Sequence, residues 1–430
     1  MPNPTGQNQW GKKEYPPDDE LRAAFAQYSR ENNGSGLSAD DQMARLNKEF
    51  NLDIKRRKLF TLRKQLGVES VRKPANSSPQ ERMQAVIDIK KDDLSGKWGV
   101  AQVRQRLANQ GKLLKRDDVR QILHDHYDVE FDKRFVGSKD AIDRVPLDCL
   151  GTWHEQHADG HEKLAEQAIR MGGDVSLPIY AFKDKYSTFV PYMRVLPNVR
   201  LSNVIGHVFL DLVETYGVPI QLTTDKGSEI GDMVRCHERL RLDAAPEYTL
   251  DKWPAAVQVQ SKHNTPIEGF WRWKRAGEGH SIREAIFIGK DNGLFNPNSP
   301  LHVNVFNWLW PPLVQERLDE FREYWNNHRL STQKKKLLPT GTSPRQLWLA
   351  PESARATARD CSIAVDMRLV QQLREALGGR EARDLAFRFV DAEFEAMADE
   401  ALGGLEFPDI TLSSAWDVFV AIVDTLSRSE

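Results

Sequence analysis

Three acids in this 430-residue chain stand in contexts that could carry chemistry: Asp159 in HADGHEKL, Asp225 in LTTDKGSE and Glu268 in HNTPIEGFW. Asp159 and Asp225 each end a strand-like run, and Glu268 opens a helical one. Carboxylates at the ends of neighbouring strands, with a third on an adjacent helix, can converge at one point of a sheet. Three anions brought together repel unless cations sit between them, and oxygen-only ligation suits Mg²⁺ or Mn²⁺. Two such ions roughly 3.5–4 Å apart can clamp the attacking and leaving oxygens of an in-line phosphoryl transfer. Each acid also has a plainer reading. Asp159 and Asp225 could be turn formers before Gly160 and Gly227, or Asp225 the N-cap of the next helix. Thr265-Pro266-Ile267-Glu268 fits a capping box with proline at the first helical position, which would turn Glu268 back on its own helix.

The histidines His154, His157 and His161 raise a zinc alternative, but their spacing lacks the second histidine of an H-E-x-x-H helix. Along a strand, His157 and Asp159 share a face while His154 points away.

These residues need a scaffold, and the pattern around them supplies one. From about Val145 the chain reads VPLDCLGTWHEQHAD, LPIYAF and YSTFVPYMRVL, three strand-like runs, with a hairpin turn expected at Lys183-Asp184-Lys185. A helix carrying Val204, Val208, Leu212 and Val213 leads to the strand VPIQLTTD, and AAVQVQ precedes the helix of Glu268. Three early strands followed by alternating helix and strand predict an α/β arrangement with a mixed sheet. Beyond it a long helical stretch is expected to break at Pro311-Pro312, and LLPTGTSPRQLW looks like the closing edge of the domain.

Before the sheet, the spacing predicts two small helical units, 19–72 and 73–144, after a polar tail over 1–18 expected to be disordered. In the first, Ser38 caps a helix with Met43, Leu46 and Phe50, and Asp53 caps a basic one, closed by Gly67. The second unit should hold helices near 79–91, 99–109 and 116–126, broken at Gly111. A short turn leading to a basic helix suits a helix-turn-helix module; Arg56, Arg57, Lys58 and Arg63 are the expected DNA contacts. The plainer reading is a bundle with a solvated basic face. Residues 351–430 read as helical and acidic, with Ser413 or Ser414 capping a last helix that buries Trp416, Phe419, Ile422 and Val423.

Net charge is only −2, but residues 1–145 carry about six excess basic side chains and the last 80 or so about eight excess acids. A chain basic at one end can hold polyanion there. Cys149, Cys236 and Cys361 lie far apart, and no apolar run or secretory h-region is present, so a reducing intracellular setting is expected.

In order and context the motifs resemble the integrase catalytic core, the RNase H-like fold shared with DDE transposases, and most nearly the integrase-core proteins of eukaryotic mobile elements. The matching segments are His157-Ala158-Asp159-Gly160-His161-Glu162-Lys163-Leu164, Thr224-Asp225-Lys226-Gly227-Ser228-Glu229 and His263-Asn264-Thr265-Pro266-Ile267-Glu268, with GLFNPNSPLH and WNNHR further on. The resemblance covers about 146–350, within an expected core of 145–350. The sequence departs from the family in the long polar stretch between Leu164 and Pro178 and in the displaced Trp153.

The resemblance implies a five-stranded mixed sheet with flanking helices and a polynucleotidyl transferase in which Asp159, Asp225 and Glu268 hold two divalent cations, Mg²⁺ or Mn²⁺. It implies a DNA partner, for element ends and target, with His161, Lys163, Lys226, His263, Asn264, Arg272, Lys274 and Arg275 along the groove. A homo-oligomer on DNA, no membrane partner, and a nuclear location if the source is eukaryotic follow as expectations. Of Trp271 and Trp273, one is expected in the core. The rivals are a domesticated DNA-binding protein that no longer transfers strands, and an RNase H-like nuclease yielding hydrolysis products alone.

Overall fold

The strand-like runs pair into a sheet in the order β4-β3-β2-β5-β6. Its strands are β2 (Glu155–His161), β3 (Ile179–Asp184), β4 (Tyr192–Val195), β5 (Gln221–Asp225) and β6 (Ala256–Val259). β2, β3 and β4 are antiparallel neighbours, whereas β5 pairs in parallel with β2 and with β6, so the sheet is mixed. The structure is a computed structural model that describes residues 15–71, 77–93, 98–132, 149–161, 175–259, 264–276, 278–333, 336–405, 407 and 409–428.

Strand alternation sends Ala158, Tyr180, Phe182 and Leu222 to one face, where they share a core with Val204, Val208, Phe209 and Leu212. Those four belong to the helix Ser202–Tyr216, which packs on the helix Gly231–Ala244. The opposite face carries Ile179, Ala181, Met193 and Val195 under the helices Thr265–Ala276, Glu278–Asp291 and Pro300–Asn327. Helices on both faces of a mixed sheet are an α/β architecture, consistent with an RNase H-like core.

Several local expectations shift. The first run divides at Trp153, which adopts φ 58°, into β1 (Gly151–Thr152) and β2, so Asp159 lies inside β2 and not at its end. Lys183 and Asp184 stay in β3 and the turn begins at Lys185. Asp184 is the reason: fully buried, it accepts from the backbone N–H of Trp153 and Ser187, from Gln156 Nε2 and from Ser187 Oγ, which holds the strand extended to that residue. Pro311-Pro312 does not break its helix, which runs from Pro300 to Asn327 behind the Ser299 cap. Val305, Phe306 and Leu309 before the pair and Val314, Leu318 and Phe321 after it lie in one core, and that packing outweighs the backbone bonds proline removes.

Among the N-terminal helices, α1 (Asp18–Gly34), α2 (Ala39–Phe50) and α3 (Arg56–Gln65) enclose Leu21, Phe25, Leu46, Leu59 and Leu62. The expected tail lies mostly outside the described residues; α1 already starts at Asp18. Ser38 caps α2 as expected, but Lys55, not Asp53, takes the N-cap place of α3. Gly67, at φ +65°, follows the end of α3. The next helices, α4 (Pro79–Lys91), α5 (Val100–Asn109) and α6 (Arg116–Asp132), surround Val86, Val103, Leu107 and Leu123, with a Ser78–Glu81 capping box opening α4. These units are not beads on a string. α1 packs along α5, and the fully buried Glu31 accepts from Arg45 within its unit and from Ser343 Oγ of the core. Arg106 of α5 stacks on Trp98 and reaches Glu320 of the long helix.

The acidic C-terminal region closes on the core instead of standing beside it. β7 (Arg359–Asp360) pairs in parallel with β1, and Val218 bridges to Ile363, so the core's edge passes residue 350. Arg374, fully buried, binds Asp211 and Glu214 of the helix Ser202–Tyr216 at 3.0 Å each. Removing one partner of such a buried pair costs about 3–5 kcal/mol. The last helix, Ala415–Ser427, buries Trp416, Phe419 and Ile422 in the same core as the long helix; Ser414 holds its N-cap place without a side-chain bond, and Val423 is half-buried.

Candidate active site

β2 places Glu155, His157 and Asp159 on the sheet face covered by the helix that opens at Thr265. His157 sits beside Thr223 of the parallel strand β5. Two residues further along each strand, by alternation on the same face, stand Asp159 and Asp225.

The helix Thr265–Ala276 closes this face with one stripe. The Glu268 N–H donates to the Asn264 carbonyl over 3.1 Å, so Asn264 takes the N-cap place. The Asn264 side chain turns into the sheet. Its Nδ2 lies 3.3 Å from Asp225 Oδ1 and 3.4 Å from the Ala158 carbonyl, and its Oδ1 is 2.7 Å from His157 Nδ1. Two turns on, Trp271 Nε1 donates to Asp159 Oδ2 over 2.8 Å. Asn264, Glu268 and Trp271 stand at i, i+4 and i+7, one face of a helix. The half-buried Glu268 therefore lies between a residue that holds Asp225 and one that holds Asp159. With Asn264 at the N-cap place, Glu268 falls one position beyond the third helical place that a capping box uses. Asp225 does not cap a helix: Gly227 precedes the short 3₁₀ turn Ser228–Ile230.

A charged network lies beneath the acids. Because Asn264 Nδ2 faces two acceptors, its Oδ1 faces His157, and that ring nitrogen carries its hydrogen. His157 Nε2 lies 3.2 Å from Glu155 Oε1; the same carboxylate accepts from Thr223 Oγ1 and Lys185 Nζ at 2.6 Å each. Burial pushes the Glu155 carboxyl up, but the hydrogen bond and charge of His157 and the Lys185 ammonium outweigh it, holding it well below the ordinary carboxylate range. Across the sheet, burial raises the Tyr180 hydroxyl far above its ordinary value, with Asp159, Glu229 and Asp225 adding to the rise. Those three carboxylates thus share one electrostatic neighbourhood.

Three carboxylates on one face match in donor type what a hard divalent cation takes. Among the described residues, no three His, Cys, Asp or Glu side chains are grouped closely enough to hold an ion, zinc included. Without a counter-charge, like carboxylates stand apart, and here Trp271 and Asn264 each engage one of them.

A mixed five-stranded sheet between helical layers, with Asp159 on β2 and Asp225 on the parallel neighbour β5, is an α/β arrangement consistent with an RNase H-like core. Residues 152–360, nearly half of the chain, match the family model of the integrase core domain. No curated protein matches the chain.

The expected DNA contacts are placed unevenly. Arg56, Arg57 and Lys226 are exposed. Lys58 lies over the Tyr15 ring, and the half-buried Arg63 reaches Gln42 at 3.4 Å, where burial lowers its pKa. Asn264 is corrected outright: fully buried and holding Asp225, it cannot line a groove. Lys163 and His263 lie outside the described residues, as do the side chains of His161, Arg272, Lys274 and Arg275. Trp271 lies in the core, 1 % exposed, and the Trp273 side chain is outside the described residues. Sequence reasoning missed Glu155, the Asn264 bridge and the Trp271 bond. Alternation along β2 signals Glu155; nothing local signals the other two.

Proposed function

We propose that the domain catalyses phosphoryl transfer on DNA, cutting an element end and joining it to a target strand, with Asp159, Asp225 and Glu268 as the catalytic acids. One observation carries the reading: Asn264, Glu268 and Trp271 form a single helical stripe whose outer two members bond Asp225 and Asp159. Glu268 stands between those two members on the same helical stripe, which supports its role as the third acid. The family generally uses divalent metals, and the three acids are the ligands available here. A bound pair of ions would supply charge stabilisation at the attacking and leaving oxygens. The protein's own part is placement. Asn264 fixes the Asp225 rotamer, His157 and Glu155 hold Asn264, and Trp271 sets the second Asp159 oxygen.

The test is cleavage and joining of labelled duplex ends with Mg²⁺ or Mn²⁺. Asp225→Asn keeps shape and loses charge, so activity should vanish with the fold intact. Full activity in that variant removes Asp225 from the site; hydrolysis without joined strands favours a nuclease. The Asp159–Trp271 bond favours a second reading, a domesticated copy that binds DNA without transferring strands, because an indole N–H already occupies one ligand oxygen. Work on chromosomal DNA would place the protein in the nucleus of a eukaryotic source.

A further inference from the structure

The solvent face of α3 combines two properties that oppose each other on an ordinary surface. Its sequence, RRKLFTLRKQ, contains no acid. Leu59 and Leu62 point into the core, so the opposite side carries Arg56, Phe60 and Lys64 in one line, at i, i+4 and i+8, with Arg57 and Thr61 alongside. Arg56, Arg57 and Lys64 are exposed. Phe60 is 52 % exposed, and among the described residues it is the one phenylalanine in the exposed class. Among the described residues nothing covers this aromatic ring, which stands at the centre of three cations, and the charge around it selects a polyanion. A protein partner of acidic character would meet the cations but leaves the ring unexplained. The major groove of duplex DNA meets both, since it admits a helix, offers phosphates on either wall and presents the thymine methyl as its apolar feature.

We propose that Phe60 reads thymine methyl groups in the major groove while Arg56, Arg57 and Lys64 hold the flanking phosphates. This rests on the DNA-binding reading of the helix and deepens it, since phosphate contacts position while an edge contact discriminates. Thr61 donates to the Arg57 carbonyl over 2.9 Å, so its hydroxyl is engaged in the helix and the ring is left as the discriminating group.

The experiment measures binding of the full chain to a labelled duplex of alternating dA and dT, and to the same duplex with dU for dT. Wild type should prefer the thymine duplex about fourfold, the worth of one buried methyl-sized group. Phe60→Ala should lose the preference with its salt dependence unchanged, and Phe60→Leu should restore part of it. Being exposed, the ring can be removed without unfolding, and equal melting temperatures check this. Equal affinity of wild type for both duplexes, or a preference that survives in Phe60→Ala, overturns the proposal. The double variant Arg56→Glu with Arg57→Glu tests the underlying reading separately. It should weaken both duplexes alike and flatten the salt slope; unchanged binding there overturns DNA contact by this helix altogether.

Discussion

The indole N–H of Trp271 bonds Asp159 Oδ2 across 2.8 Å, from a helix to the central strand of the sheet. A residue that composition assigns to the core thus also governs one oxygen of a candidate catalytic acid.

Trp271→Phe should act in two directions at once. The lost indole ring leaves a gap in a fully packed position, costing about 1–3 kcal/mol of stability. Loss of the indole N–H from Asp159 Oδ2 should lower the Mg²⁺ concentration at half-maximal cleavage several-fold. A melting curve together with a cation titration of DNA-end cleavage checks both. A lower melting temperature with an unmoved cation midpoint would show the indole to be packing alone.

Glu268→Gln separates ligand from cap. Glu268 stands one position past the capping box and the amide is nearly isosteric with the carboxylate, so stability should change by less than about 1 kcal/mol. Metal-dependent cleavage should fall below detection, because the amide supplies no charge to a divalent ion. Wild-type turnover in this variant would falsify the three-acid site.

Acid should weaken the fold before the carboxylates titrate. Burial pushes His237 from its ordinary 6.5 down to about 4, and His328 likewise. The unfolded chain binds these protons near 6.5 and the folded chain only near 4, so stability is lost as pH falls through that window. Each contributes a slope of up to about 1.4 kcal/mol per pH unit. Asp184, pushed up to about 6 by burial, opposes this, because its share of stability falls as pH rises from 3.8 to 6. Two histidines outweigh one aspartate, so melting temperatures should drop from pH 6.5 to 4. His237→Phe should flatten that slope; an unaltered slope would remove His237 as its source.

Gly289→Ala has a diagnostic sign. In an ordinary helix interior this change gains up to about 1 kcal/mol. A Cβ at Gly289 would lie 2.0 Å from the Trp416 indole, whose N–H also donates to the Ala285 carbonyl. We expect a loss of about 1–3 kcal/mol by urea unfolding. A gain would mean that the last helix does not seat against the helix Glu278–Asp291.

Local physics explains which features were legible. The Ser38 cap, Gly67 after α3, and the helix boundaries at Pro79–Lys91 and Val100–Asn109 depend on neighbours within four residues, and sequence reasoning located them. Its errors share another cause. Pro311-Pro312, the Lys183–Lys185 turn and the Asp53 cap were judged on local propensity, and burial of Val305 to Phe321 and of Asp184 overrode two of them.

The sequence by itself determined the kind of domain and the order of its acids, because strand alternation, helix stripes and the contexts of Asp159, Asp225 and Glu268 are all written within a few residues. Tertiary structure alone decided what those acids touch. Asn264 meets His157 across 107 positions of chain and Trp271 meets Asp159 across 112. No periodicity records such contacts, since they arise only when the sheet's register and the seating of a helix are both settled by packing.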